Sequence, residues 1–271
     1  MKKLAVALLA LLVLTACGSK GPANKGDRTT YKVGIHGGDS GLAWNEVQRQ
    51  LKDEGITLEI VRFANYPEPN AALAAGEIDL NAFQHHAYFE KEKADFKYDL
   101  VAVADTYIAP MGSYSSKITS INDLKDGAKI LIPNDVTNGG RALNLLKTVG
   151  LIDLNNAEGE IPSLKNVVNP RGFDIVELGA ANIPGSLNEA DLAVINSGIA
   201  IDAKLDPKST LFVEEVDLNN KEPYKQYINL IAARTEDKDN AVIKRIVEIY
   251  HTDELKEIVD KDSKGSNIPV W

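Results

Sequence analysis

The pattern of apolar and polar positions changes character twice along the chain. Leu4 to Leu14 is an unbroken apolar run behind Lys2 and Lys3. That length is too short for a spanning helix, which takes roughly 20 residues, and fits the apolar core of a signal peptide. Gly18 to Asp27 is polar and glycine-bearing, with nothing to bury, and reads as a flexible tether reaching to about residue 30. From Tyr31 onward, short β-rich runs alternate with amphipathic helical ones, the signature of an α/β architecture. Strands are expected at Tyr31 to Ile35, Ile56 to Ile60, Ile78 to Phe83, Leu100 to Thr106, Lys129 to Ile132, Phe173 to Leu178, Asp191 to Ile195 and Tyr227 to Ala233. Helical spacing places Leu42, Val47 and Leu51 on one face, and a short helix from Asn70 to Ala75 is closed by Gly76. A further helix runs from Asn138 to Gly150, with Arg141 in its first turn. Apolar residues at helical spacing then extend from Asn240 to Lys261. Ser120 to Asp123 has a weak capping-box form.

Punctuation suggests two crossings between lobes, one where a strand runs into Pro110 and Gly112, the other from Glu222-Pro223 into the strand ending near Arg234. The expected organisation is a leader (1–16), a lipidated tether (17–30), one lobe from 31–108 plus 229–271, and a second from 109–228. One continuous α/β domain is the alternative. Two lobes joined by two strands form a hinge that permits closure on a ligand.

Composition narrows the classes. Cys17 is the single cysteine, so no disulfide forms within one chain. It closes the stretch Leu14-Thr15-Ala16-Cys17, which has the form of a bacterial lipobox and makes Cys17 the expected acylated first residue. The formal charge is −9, and loss of Lys2 and Lys3 with the leader takes it to −11, the wrong sign for nucleic acid.

The catalytic options are thin. Gly37-Gly38-Asp39-Ser40-Gly41-Leu42 follows a first strand where the nucleophile of a GDS-type esterase would sit. Such a serine needs a histidine base held by an acid. Those esterases carry a late Asp-x-x-His pair, and this chain has Glu248-Ile249-Tyr250-His251 inside an apolar helical pattern. The turn reads better as a close approach of backbone to a ligand or to the opposite lobe. His85 and His86 are adjacent, which favours divergence, and the metal-ligand complement is poor. No metal and no cofactor are expected. Polar residues at strand ends remain, and these suit a small zwitterion: a cation for its carboxylate, acceptors for its ammonium and a shaped apolar slot. Arg141, behind Asn138-Gly139-Gly140, is the candidate cation.

Five blocks in fixed order carry a family resemblance. They are Phe63 to Leu73 around Pro69-Asn70, Gly76 to His85, Ile132 to Arg141, Leu192 to Asn196, and Tyr227 to Ile231. With the lipobox, the chain resembles the methionine-binding lipoproteins of bacterial ABC importers from Lys32 to Trp271. The resemblance implies a two-lobed, periplasmic-binding-protein-like fold of type II with two crossover strands. It implies Arg141 as the carboxylate clamp, Asn138 and Asn196 near the amino-acid head group, and Asn229 as a further hydrogen-bonding residue. Tyr66, Phe83, His85 and Tyr88 would line the side-chain slot, where aromatic rings suit a thioether. The implied function is non-enzymatic: capture of L-methionine or a close analogue, and delivery to an ABC permease and its ATPase from the extracytoplasmic face of the cell membrane. The expected state is a monomer. Three places depart from the family pattern: Ala109 before Pro110, Asp39-Ser40 with Trp44 beyond, and His86-Ala87. They are expected near the cleft, which keeps a methionine-containing dipeptide or another apolar amino acid as alternatives. On sequence alone, Arg141→Ala is expected to weaken binding at least about a hundredfold while leaving the fold intact.

Overall fold

Two sheets share one strand order. The structure is a computed structural model that describes residues 28–37, 41–217, 220 and 222–271. The leader, Cys17, the tether up to Asp27, and the Asp39-Ser40 pair lie outside the described residues. The chain begins with β1 (Thr30–His36), α1 (Gly41–Asp53), β2 (Thr57–Phe63), α2 (Pro67–Ala74), β3 (Leu80–His85), α3 (His86–Phe96) and β4 (Leu100–Ile108). It then builds β5 (Gly112–Tyr114), β6 (Lys129–Pro133), α4 (Val136–Thr148), β7 (Asp153–Leu154), β8 (Val167–Val168), β9 (Asp174–Leu178), β10 (Leu192–Ile195), α5 (Ser197–Asp202) and β11 (Phe212–Val213). It returns through β12 (Ile228–Arg234), α6 (Ala241–Tyr250), α7 (Asp253–Asp262) and β13 (Ile268–Pro269).

The first sheet runs β13-β4-β12-β3-β1-β2, and the second runs β11-β5-β10-β6-β9. In each, three parallel strands lie in the order second, first, third. An antiparallel strand, β12 or β5, follows the third and separates it from the fourth. The chain passes from the first sheet to the second between Ile108 and Gly112 and comes back before Ile228. The central strand β10 is buried at all four positions, the continuous apolar run expected of a strand covered on both faces. In α1, Ala43, Trp44, Val47 and Leu51 recur on one face and pack with α6 and α7 against the first sheet. A separate cluster around Leu143, Leu146, Ile130 and Val194 fills the second lobe. Among the described residues no helix is long and apolar enough to cross a membrane.

Local differences from the sequence reading have physical causes. The apolar pattern from Asn240 to Lys261 is two helices, because Thr252 accepts from the Leu255 amide and starts a new N-terminus. The fourth helix begins two residues before Asn138, since Asp135 caps it by accepting from the Asn138 amide at 2.9 Å. Arg141 therefore lies in the second turn of the helix. Trp44 is fully buried and packs on Tyr250 at 5.0 Å, so it belongs to the core and not to the cleft. Gly37 has φ +45, and a Cβ there would lie 1.6 Å from Asp202 Oδ2 in α5, so this turn is a close approach of the two lobes.

Candidate functional site

In open α/β sheets the carboxyl ends of parallel strands converge on the ligand crevice. Here β1 ends at His36 and β3 at His85, while β6 leads into Asp135 and Asn138, and β10 leads into Asn196. Between these ends lies a cavity walled by both lobes. The structure brings Tyr66, Phe83, His85, Tyr88, Asn138, Arg141, Asn196 and Asn229 together around it.

One end is aromatic. Tyr66, Phe83 and Tyr88 form a triangle with ring centroids 5.9 to 6.1 Å apart, tilted or edge-on to one another. His85 closes the corner, 6.5 Å from Tyr88 and 5.5 Å from Tyr227. Its Nδ1 accepts from the Tyr88 amide at 3.1 Å, so its proton sits on Nε2 and is donated to Asn138 Oδ1 at 3.1 Å. Burial, reinforced by the Arg141 charge, lowers the His85 pKa to about 3. The ring is a neutral wall whose hydrogen bond crosses from one lobe to the other.

The other end is polar. Arg141 is almost wholly buried. Its Nε donates to Glu214 Oε1 at 3.0 Å, and its Nη2 donates to Glu214 Oε2 and, at 3.0 Å, to the Ala109 carbonyl. Tyr227 lies under the guanidinium, 4.2 Å from the ring centroid. This leaves Nη1 as the nitrogen with no hydrogen-bond partner among the described residues.

The amides are arranged by the same accounting. Asn138 donates through Nδ2 to both Asp135 carboxylate oxygens at 3.0 Å. Its Oδ1 accepts from His85 and, at 2.7 Å, from Asn196 Nδ2. Asn138 is thus fully engaged and acts by orienting its neighbours. Asn196 is left with Oδ1 buried and without a partner. Asn229 donates to the Tyr107 carbonyl at 3.2 Å, and its Oδ1 has no partner among the described residues. One cavity therefore presents a cationic donor, two free acceptor oxygens and an aromatic slot.

A sequence model of the NlpA lipoprotein family matches residues 31–271. The chain belongs to that family. It is 40% identical over 270 residues to the D-methionine-binding lipoprotein MetQ of Escherichia coli O157:H7, covering 98% of this chain and 96% of the relative. The substrate-binding protein of a methionine transporter from Streptococcus pneumoniae superposes with a TM-score of 0.84 at 37% identity, covering 90% of this chain and 96% of that one. A nutrient-binding protein from Burkholderia cenocepacia bound to methionine gives 0.82 at 37% identity, over 89% and 100% of the two chains. The architecture is accordingly the two-lobed, periplasmic-binding-protein-like fold.

In this NlpA-family chain the departures fall unevenly. Ala109 lines the cavity. His86 is directed away, with Nε2 2.6 Å from Asp105 Oδ1. His251 donates to the Asp105 carbonyl at 2.8 Å and stacks on Trp271. Among the described residues, no three His, Cys, Asp or Glu side chains are grouped to hold a metal ion. Sequence reasoning missed Glu214, Tyr227 as the platform under Arg141, and the wall residues Gln84, Ser197 and Asn267. Gln84 and Tyr227 lie inside quoted motifs and Ser197 adjoins one, so these were within reach; Glu214 and Asn267 carry no local signal.

Proposed function

We propose that this protein is a non-enzymatic solute receptor that captures L-methionine, or a close analogue, between its lobes and delivers it to an ABC permease driven by its ATPase. The observation that carries the reading is the pairing of Arg141 Nη1 with the unpartnered Asn196 Oδ1 in one aromatic-walled cavity. A zwitterion satisfies both, the carboxylate at Arg141 and the ammonium at Asn196 and Asn229. The thioether packs among Tyr66, Phe83 and Tyr88 beside His85, with Asn138 holding the frame. The relatives named for D-methionine and the neighbour described with methionine support this ligand class.

The moving bodies are 31–108 plus 229–271 and 109–228, hinged at the crossings. Contacts from both lobes to one ligand favour the closed state. The mature chain begins at Cys17, whose acyl chains hold a monomeric body at the outer face of the cell membrane through the tether of residues 17–30. Incorporation of labelled palmitate, lost in Cys17→Ser, tests the anchor.

The ligand is tested by thermal shift on the form lacking residues 1–17, refolded to strip carried-over ligand, against the twenty amino acids, D-methionine and methionine dipeptides. A ligand at 100 times its Kd stabilises by about 2.7 kcal/mol. A shift confined to methionine supports the proposal. A larger shift with a dipeptide moves the ligand but keeps the mechanism, and no shift with any compound removes the receptor reading.

A further inference from the structure

A carboxylate has two oxygens, yet Arg141 offers it a single nitrogen. Glu214 and the Ala109 carbonyl occupy Nε and Nη2, so only Nη1 is left for a ligand. Nη1 still carries two N–H bonds, but one nitrogen does not make the two-pronged fork that faces both oxygens, so a second donor at that end of the cavity would give the other oxygen a partner of its own.

Asn267 supplies one. It lies just before β13, whose antiparallel register pairs Ile268 with Ile108 and Pro269 with Tyr107. Extended one step beyond the strand ends, that register sets Asn267 toward Ala109, whose carbonyl accepts from Arg141. Residues paired across antiparallel strands project from the same face, and both of these line the cavity. Asn267 is buried, only 5% exposed as a residue. Two contacts fix it: its backbone amide donates to Ser263 Oγ at 3.0 Å, and its Oδ1 accepts from Ser197 Oγ at 3.3 Å. That orientation leaves Nδ2 with no partner among the described residues, in the wall of the cavity that Ala109 and Arg141 also line.

We propose that Asn267 is a second carboxylate-binding residue, donating from Nδ2 to one ligand oxygen while Arg141 Nη1 donates to the other. The inference rests on the amino-acid reading of the cavity. Arg141 belongs to the second lobe and Asn267 to the segment that leads into the C-terminal strand of the first sheet, so the carboxylate bridges the lobes. The Ser197–Asn267 hydrogen bond spans the same gap. A ligand lacking the carboxylate forfeits that bridge.

The test uses the full-length chain purified in detergent, titrated calorimetrically with L-methionine and by displacement with L-methioninol, which replaces the carboxylate by a hydroxymethyl group. Asn267→Ala is expected to weaken methionine about tenfold and methioninol less than about twofold. Asn267→Asp, nearly the same size, sets a negative charge against the carboxylate and is expected to weaken methionine by about a hundredfold. Equal losses for both ligands, or no loss for methionine, overturn the inference. Tighter methionine binding by Asn267→Asp overturns it too, since the side chain would then face the ammonium. A wild-type protein that binds neither ligand removes the methionine reading and this inference together; wild-type binding with an indifferent Asn267→Ala removes the inference alone.

Discussion

Replacing Arg141 by alanine tests the site and the fold together, because one guanidinium serves both. In the folded protein it satisfies Glu214, whose side chain is 14% exposed, through two nitrogens, and it also caps the Ala109 carbonyl. Truncation leaves a mostly buried carboxylate with neither its counter-ion nor its hydrogen bonds. Breaking such a pair from one side costs about 3–5 kcal/mol. The expectation from sequence alone, an intact fold, is therefore replaced by a marked loss of stability. Binding loses the one cation among the described residues of the cavity wall, and truncating one partner of a buried charged pair costs about 2–5 kcal/mol. At about 1.4 kcal/mol per decade, the Kd for methionine should rise by about 30-fold to a few thousandfold, a range that holds the hundredfold loss expected from the sequence.

The two effects separate in a double variant. Arg141→Met with Glu214→Leu removes both charges and fills their space with apolar atoms, which should recover most of the stability because replacing a buried pair by packed apolar groups is often neutral. Affinity should stay lost. Stability is read by urea unfolding, followed through fluorescence of Trp44 and Trp271, and affinity by calorimetry on variants shown to be folded. A double variant as unstable as Arg141→Ala would refute the ion-pair account. Methionine binding of wild-type strength in either variant would refute the role of Arg141.

Three further outcomes are expected. The folded-state pKa of His85, about 3, lies below its unfolded value near 6.5, so its contribution to stability is complete above pH 6.5 and is lost as pH falls toward 3. At pH 5 the loss is about 2 kcal/mol, and His85→Gln should flatten the difference between urea midpoints at pH 5 and 7; an unchanged difference contradicts the assignment. Gly140→Ala places a Cβ 2.3 Å from Ile161 Cγ2 and 2.9 Å from the Pro162 carbonyl, and should destabilise by about 1–3 kcal/mol in thermal unfolding. Asn196→Ala removes the unpartnered acceptor and should weaken methionine at least about tenfold, with a smaller effect on unfolding; calorimetry showing equal affinity discards the ammonium role.

What was legible in the sequence follows from where contiguous residues project. Phe83 and His85 end one parallel strand, and Asn196 follows another, so short motifs deliver whole pieces of the cavity wall. The alternation of strand and helix patterns likewise exposed the α/β class, because each element buries one face. Less legible were contacts between distant segments. Glu214 reaches Arg141 across 73 residues of sequence, and Asn267 meets Ser197 across 70, with no periodicity or turn chemistry to announce either. The break between α6 and α7 was hidden for a different reason: apolar spacing continues through Tyr250 and Leu255, while the Thr252 cap that divides them depends on one hydroxyl.

The charge balance of the cavity explains why amides, and not carboxylates, should receive the ammonium. Among the described residues of its wall, Arg141 is the one formal charge, and Glu214 directly behind cancels it, while His85 is held neutral. A zwitterion enters this surrounding without adding net charge. A carboxylate in place of Asn196 would leave the closed cavity with an uncompensated negative charge alongside the ligand's own, and desolvating it would cost several kcal/mol. Asn138 makes the amide solution work. Having given its donor to Asp135 and its acceptor to His85 and Asn196, it forces Asn196 to present oxygen and never nitrogen to the ligand. Discrimination then comes from unmet hydrogen bonds: a ligand without an ammonium strands the Asn196 and Asn229 oxygens, and one without a carboxylate strands Arg141 Nη1. Each omission costs about 1–3 kcal/mol, more at the charged end, which is enough to select the zwitterion while the aromatic triangle selects its side chain.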